Sequence, residues 1–145
     1  MRTVRLEKDF NPGFPDPREL GPLQLAYLGD TLHDLYIRSR LVARHATVGE
    51  MHRTATKLVN CSAQAAMLTC IEPELTEEEA EVVRRGRNAQ AKHAAPKHAE
   101  PGEYEKATGL ESLWGWLYIS GRTERLNALL EEALAGTEEK WGSQS

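Results

Sequence analysis

Residues 25–38 read "LAYLGDTLHDLYIR", and they decide the fold class. Leu25, Leu28, Leu32 and Leu35 recur every three or four residues, so the stretch is a helix with one apolar stripe, predicted over about 20–44. Gln24, Tyr27, Thr31, Asp34 and Arg38 form its polar side. Asp30 lies between the two sets, where its side chain can reach a shallow cleft. Asp30 and Asp34 are four apart, a spacing that stacks like charges on one helix face. Asp34 also stands four before Arg38, as a helix ion pair requires. The Gly-Asp pair in the middle of the apolar run is what a simple amphipathic helix does not explain.

Outward from this stretch the chain stays helical. Four of the seven prolines precede residue 23, so residues 1–19 are predicted to be an irregular leader. Thr47 with Glu50 forms a capping box opening an alanine-rich segment over 48–71, with a possible break near Asn60. Thr76 with Glu79 forms a second, opening a short helix to Arg85 with Gly86 placed to end it. Residues 87–102 hold two prolines and no apolar period and read as a loop. Leu110, Leu113, Trp114 and Leu117 mark a helix over 103–119. Leu126, Leu129, Leu130 and Leu134 mark a last one over 123–135, stopping at Gly136 before a frayed tail, 137–145. No period-2 run or Asn-Gly hairpin signals a strand. The expected fold is all-α, a compact helical bundle, with the working domain over 20–136.

Composition excludes several classes. The chain has 145 residues, enough for one domain with its own core. No run approaches the roughly 18 apolar residues of a membrane span, and the charged, proline-rich start lacks the apolar stretch of a signal peptide. A cytoplasmic location is the expectation. Cys61 and Cys70 form no CxxC and no group of four, so neither a zinc site nor a disulfide framework is indicated.

The net charge of −4 hides a basic strip. Between Val82 and Ala99 there is no acidic residue, while Arg84, Arg85, Arg87, Lys92 and Lys97 stand there with His93 and His98. A second acid in an apolar helix appears in "ATGLESLWGWLY", residues 107–118, where Glu111 precedes Gly115 by four. Glycine inside a helix costs about 1 kcal/mol against alanine and marks a close approach of backbone or ligand. Two such acids, if brought together, make an oxygen-ligand site for Mg²⁺ or Mn²⁺. The pattern alone leaves the alternative open: a solvated or arginine-paired acid, with the glycines serving helix packing. His33-Asp34 is an "HD" dipeptide, but the phosphohydrolase site it suggests needs an earlier histidine, and none precedes it. Trp114 and Trp116 point to different sides of one helix, one toward the core and the other toward a subunit contact.

Three segments, in order, resemble the ribonuclease III family: "LAYLGDTLHDLYIR", "RRGRNAQAKHAAPKH" (84–98) and "TGLESLWGWLY" (108–118). The similarity is closest to the Mini-ribonuclease III group, which has the endonuclease domain alone, and it covers about residues 20–135. The resemblance implies a ribonuclease III endonuclease-domain fold and a metal-dependent endoribonuclease cutting double-stranded RNA. It implies 5′-phosphate and 3′-hydroxyl product ends, a homodimer, and the 23S ribosomal RNA precursor as substrate. Asp30 and Glu111 take the places of the catalytic, metal-binding aspartate and glutamate, with Mg²⁺ (or Mn²⁺) as cofactor. Longer members carry further acids one turn before each; here those positions are Ala26 and Thr108. Grip on RNA is then expected from the catalytic domain itself, through Arg85, Arg87, Asn88, Lys92 and Lys97, since phosphate contacts supply position and much of the affinity. The alternative is a non-catalytic duplex-RNA-binding factor in ribosome assembly.

Overall fold

The structure, a computed structural model, describes residues 10–92, 100 and 102–141, with side chains as far as Thr137 in the last helix. Six α-helices follow in order: α1 Pro22–Ala43, α2 Val48–Val59, α3 Cys61–Ile71, α4 Glu77–Ala91, α5 Glu103–Ile119 and α6 Thr123–Trp141. Single 3₁₀ turns lie at Pro17–Glu19 and Glu72–Glu74. There is no strand among the described residues, and the all-α expectation holds.

Local chemistry sets the helix starts. Thr47 Oγ1 accepts the Glu50 N–H at 3.2 Å while Glu50 Oε2 accepts the Thr47 N–H at 3.0 Å. Thr76 and Glu79 repeat the exchange. Asn60 ends α2 and caps α3, its side chain accepting the Ala63 N–H at 2.8 Å. The break expected near Asn60 is therefore a corner between two helices. Gly121, at φ 76°, closes α5 and lets the Arg122 N–H reach back to the Leu117 carbonyl at 2.8 Å.

Helix α5 is the centre of the bundle, packed against α1, α3, α4 and α6. Leu110, Leu113, Trp114 and Leu117 are fully buried there, each stabilising the fold by about 1.5–3 kcal/mol. The buried seam of α1 differs from the leucine stripe. It runs Leu25, Gly29, Leu32, His33, Ile37 and Leu41, whereas Leu28 is half-buried and Leu35 exposed. Both spacings fit a helix; the seam follows whichever residues let α5 approach.

Two helix ends depart from the sequence reading for the same reason. Helix α4 continues through Gly86 to Ala91, because Gly86 is buried against Ser112 and Gly109 of α5. The segment expected as a loop from 87 is thus helical over its first five residues. Helix α6 continues through Gly136 to Trp141, with Gly136 lying under Cys70 Sγ. Both glycines make room for a neighbour; neither ends a helix.

Candidate active site

The site is built by the crossing of α1 and α5. At Gly29 a Cβ would stand 1.7 Å from the Glu111 carbonyl oxygen, and at Gly115 it would stand 2.0 Å from the Leu25 carbonyl oxygen. These reciprocal contacts pair 29 with 111 and 25 with 115, so the helices run antiparallel with backbones touching. Asp30 follows one glycine, and Glu111 is the residue the other element rests on. The crossing therefore brings the Asp30 and Glu111 carboxyl groups within hydrogen-bonding reach. Residues eighty-one apart in sequence share one small volume.

The electrostatics follow from that placement. Burial first, then the hydrogen bond and charge of Asp30, push the Glu111 carboxyl up to about 9. With no cation bound, the Glu111 carboxyl therefore keeps its proton at neutral pH. Asp30 faces solvent and Glu111 is half-buried, which leaves the pair open on one side. A divalent cation in place of the proton is chemically suited to this donor set. The ligands are hard oxygens, and Mg²⁺ is commonly held by one or two carboxylates with water and phosphate completing its shell. Among the described residues no group of three or more His, Cys, Asp or Glu side chains surrounds a common point. Ala26 is buried, and Thr108 is buried and bonded to Gln90 of α4 at 3.2 Å, so neither adds a charged ligand.

One turn beyond the acids, a neutral network pins the same crossing. The Trp114 Nε1–H donates to His33 Nδ1 at 3.2 Å, and His33 Nε2–H donates to the Leu58 carbonyl of α2 at 3.0 Å. His33 is 1% exposed and burial lowers its pKa, so it stands as the neutral Nε2–H tautomer. The "HD" dipeptide thus splits, with His33 inside the core and Asp34 outside, paired with Arg38 at 2.9 Å. Cys61 opens α3 and is half-buried. Burial, and then the charges of Glu111 and Glu103, push its thiol pKa up. The core role of His33 was missed in the sequence, where it stood only as half of the "HD" dipeptide. The signal for His33 was its register four before Ile37 on the true seam.

The basic strip does not stay together. Arg85 borders a cavity shared with the N-terminal segment and the start of α1. Arg84, Arg87 and Asn88 border a groove on the other side of α4, with Glu72 and Leu75. Lys92, seven residues after Arg85, shares its face of the helix and is exposed. Arg84 is taken by Glu81, Nε to Oε2 at 2.8 Å. Lys97 lies outside the described residues. Trp114 is in the core as expected. Trp116 is 8% exposed, covered by the Arg122 guanidinium at 4.7 Å from its ring.

Comparison with known proteins agrees with this architecture. The model of the "Ribonuclease III domain" family matches residues 23–122. A protein named Mini-ribonuclease 3 from Symbiobacterium thermophilum is 50% identical over 119 residues, covering 81% of this chain and 91% of its own. Its namesake from Thermoanaerobacter sp. is 42% identical over 121 residues, covering 83% and 84%. The one from Clostridium tetani is 32% identical over the whole of both chains. Among solved structures, protein FN1578 from Fusobacterium nucleatum superposes with a TM-score of 0.76 at 25% identity, covering 85% of this chain and 98% of that one.

Proposed function

The chain belongs to the Mini-ribonuclease III group of the ribonuclease III family, and on that premise we propose that Asp30 and Glu111 are the catalytic pair of this double-stranded-RNA endoribonuclease, holding Mg²⁺ or Mn²⁺ between them. The observation that carries the proposal is the glycine-seated crossing, which forces two carboxyl groups into hydrogen-bonding reach at an open edge. No packing need explains a carboxyl raised to about 9 there; perturbed groups of this kind mark functional sites. A bound divalent cation would supply an activated water and neutralise charge at the scissile phosphate. The chain's own part is to give up the Glu111 proton, present both carboxylates as oxygen ligands, and hold their separation fixed through Gly29 and Gly115. The products carry 5′-phosphate and 3′-hydroxyl ends.

Arg85, Arg87, Asn88, Lys92 and Lys97 supply contacts to phosphates and 2′-hydroxyls, the features by which duplex RNA is read. A homodimer completes the enzyme. One chain carries one acid pair, a duplex has two antiparallel strands, and a two-fold axis relates two sites as those strands are related. Tyr27, 86% exposed, with Leu23 and Leu35, gives the outer face of α1 apolar surface for such a partner. The substrate is the 23S ribosomal RNA precursor and the location cytoplasmic; among the described residues no helix is long and apolar enough to cross a membrane.

The test is Asp30→Asn, nearly isosteric and uncharged. Cleavage of a long RNA duplex in Mg²⁺ should fall to background while the helical content and RNA binding in EDTA are kept. Cleavage at the parent rate would remove Asp30 from the mechanism.

A further inference from the structure

We propose that the cavity between the N-terminal segment and the end of α5 seats one unpaired nucleotide of the RNA, its base stacked on the Arg122 guanidinium and a phosphate on Arg85. The cavity measures about 720 Å³. Its notable wall is a stack already half made. The Arg122 guanidinium lies over the Trp116 ring, 4.7 Å from its centre, and Glu78 holds it at 2.8 Å. A planar cation fixed on one face by an indole and at one edge by a carboxylate leaves its other face as a platform. Nucleobases stack on such guanidinium planes. Phe14 stands on the N-terminal side, itself steadied edge-on against Tyr118 at 5.9 Å and 76°.

Each acid lining the cavity already has a cation partner. Asp16 is paired with Arg18 at 2.7 Å, Glu78 with Arg122 and Glu81 with Arg84. Arg85 is left without an ion-pair partner among the described residues, and it faces the same space. It stands seven residues along α4 from Glu78, about 10 Å on a helix, a separation suited to a base on Arg122 and a phosphate on Arg85. Leu25 also lines the cavity and is five residues from Asp30, about 8 Å along α1. The base must be unpaired, because inside a duplex both of its faces are covered by stacked neighbours.

This inference rests on the reading of the chain as an RNA nuclease, and measuring binding in EDTA separates the two. The parent protein is titrated by fluorescence anisotropy with one RNA duplex in three forms: blunt, with a three-nucleotide 3′ tail, and with a three-nucleotide 5′ tail. One tailed form should bind roughly fivefold or more tighter than the blunt form. Arg122→Ala and Arg85→Ala, both on the surface and checked for folding by circular dichroism, should each bring that ratio close to one. Uridine monophosphate should compete for the tail-dependent part alone. Equal affinity for all three forms in the parent overturns the proposal, as does a tail preference that survives both substitutions. Competition by the mononucleotide without any tail preference would assign the cavity to a free nucleotide and overturn its assignment to RNA. Loss of cleavage in Mg²⁺ with the tail preference intact would count against the nuclease reading and leave this one standing.

Discussion

The α1–α5 crossing and helix α4 carry the two halves of the proposed chemistry, and they are built to opposite tolerances. At the crossing, backbones touch, and an added methyl would overlap a carbonyl oxygen. The acid pair inherits that rigidity. On α4 Arg84 and Arg85 are exposed, Arg87 is half-buried against Gly109, and the three are divided between two faces; surface ion pairs such as Arg84–Glu81 contribute about 0–1 kcal/mol. The helix is fixed as a whole at its start, where the buried Glu79 carboxylate binds Arg125 at 2.8 Å and Arg125 also donates to the Glu74 carbonyl. Glu77, Glu78 and Glu79 in its first turn complement its dipole. A cation site needs two oxygens at a fixed separation. A grip on phosphates needs positive charge on a suitable face and little more.

The contrast can be broken most forcefully at Gly29. Gly29→Ala should destabilise the fold by about 3 kcal/mol or more, read by urea denaturation, because the new methyl meets backbone that cannot yield. Gly136→Ala is the control: its Cβ would meet only the Cys70 thiol, 2.4 Å away at the end of a side chain. It should cost under about 1 kcal/mol. Equal costs would show that the crossing is not the tight element described.

Protonation sharpens the comparison next. Unfolded, Glu111 ionises near the ordinary value of 4.5; folded and free of metal, it holds its proton to about 9. The folded state then binds the extra proton, so stability in EDTA should fall as pH rises from about 4.5 to about 9. Glu111→Gln removes this share of the decline, giving a flatter curve of Tm against pH. The smallest effect belongs to α4. Lys92→Ala should weaken duplex binding modestly and reduce the slope of log affinity against log salt by about one. An unchanged slope would return Lys92 to the solvated surface.

The acid helices were legible in the sequence because each combines a three-and-four apolar period with an acid and a glycine at helical spacing. Both capping boxes were legible for the same local reason, and so was Asp34 with Arg38. What stayed hidden was long-range. Gly86 and Gly136 read as stops because an isolated glycine weakens a helix; each is instead the gap that a neighbour fills, which only the packing reveals. Treating Gly86 as a stop also hid that Arg87 and Asn88 are helical and face away from Arg85. The Arg122–Trp116–Glu78 stack joins three elements, and no spacing along the chain announces it.

The central claim is that Asp30 and Glu111 together hold one divalent cation. Titrating the metal-free protein with Mn²⁺ at neutral pH, followed by electron paramagnetic resonance, tests it without any RNA. The account predicts one site per chain, lost in both Asp30→Asn and Glu111→Gln, with affinity rising as pH approaches 9. Undiminished Mn²⁺ binding in both variants would contradict it.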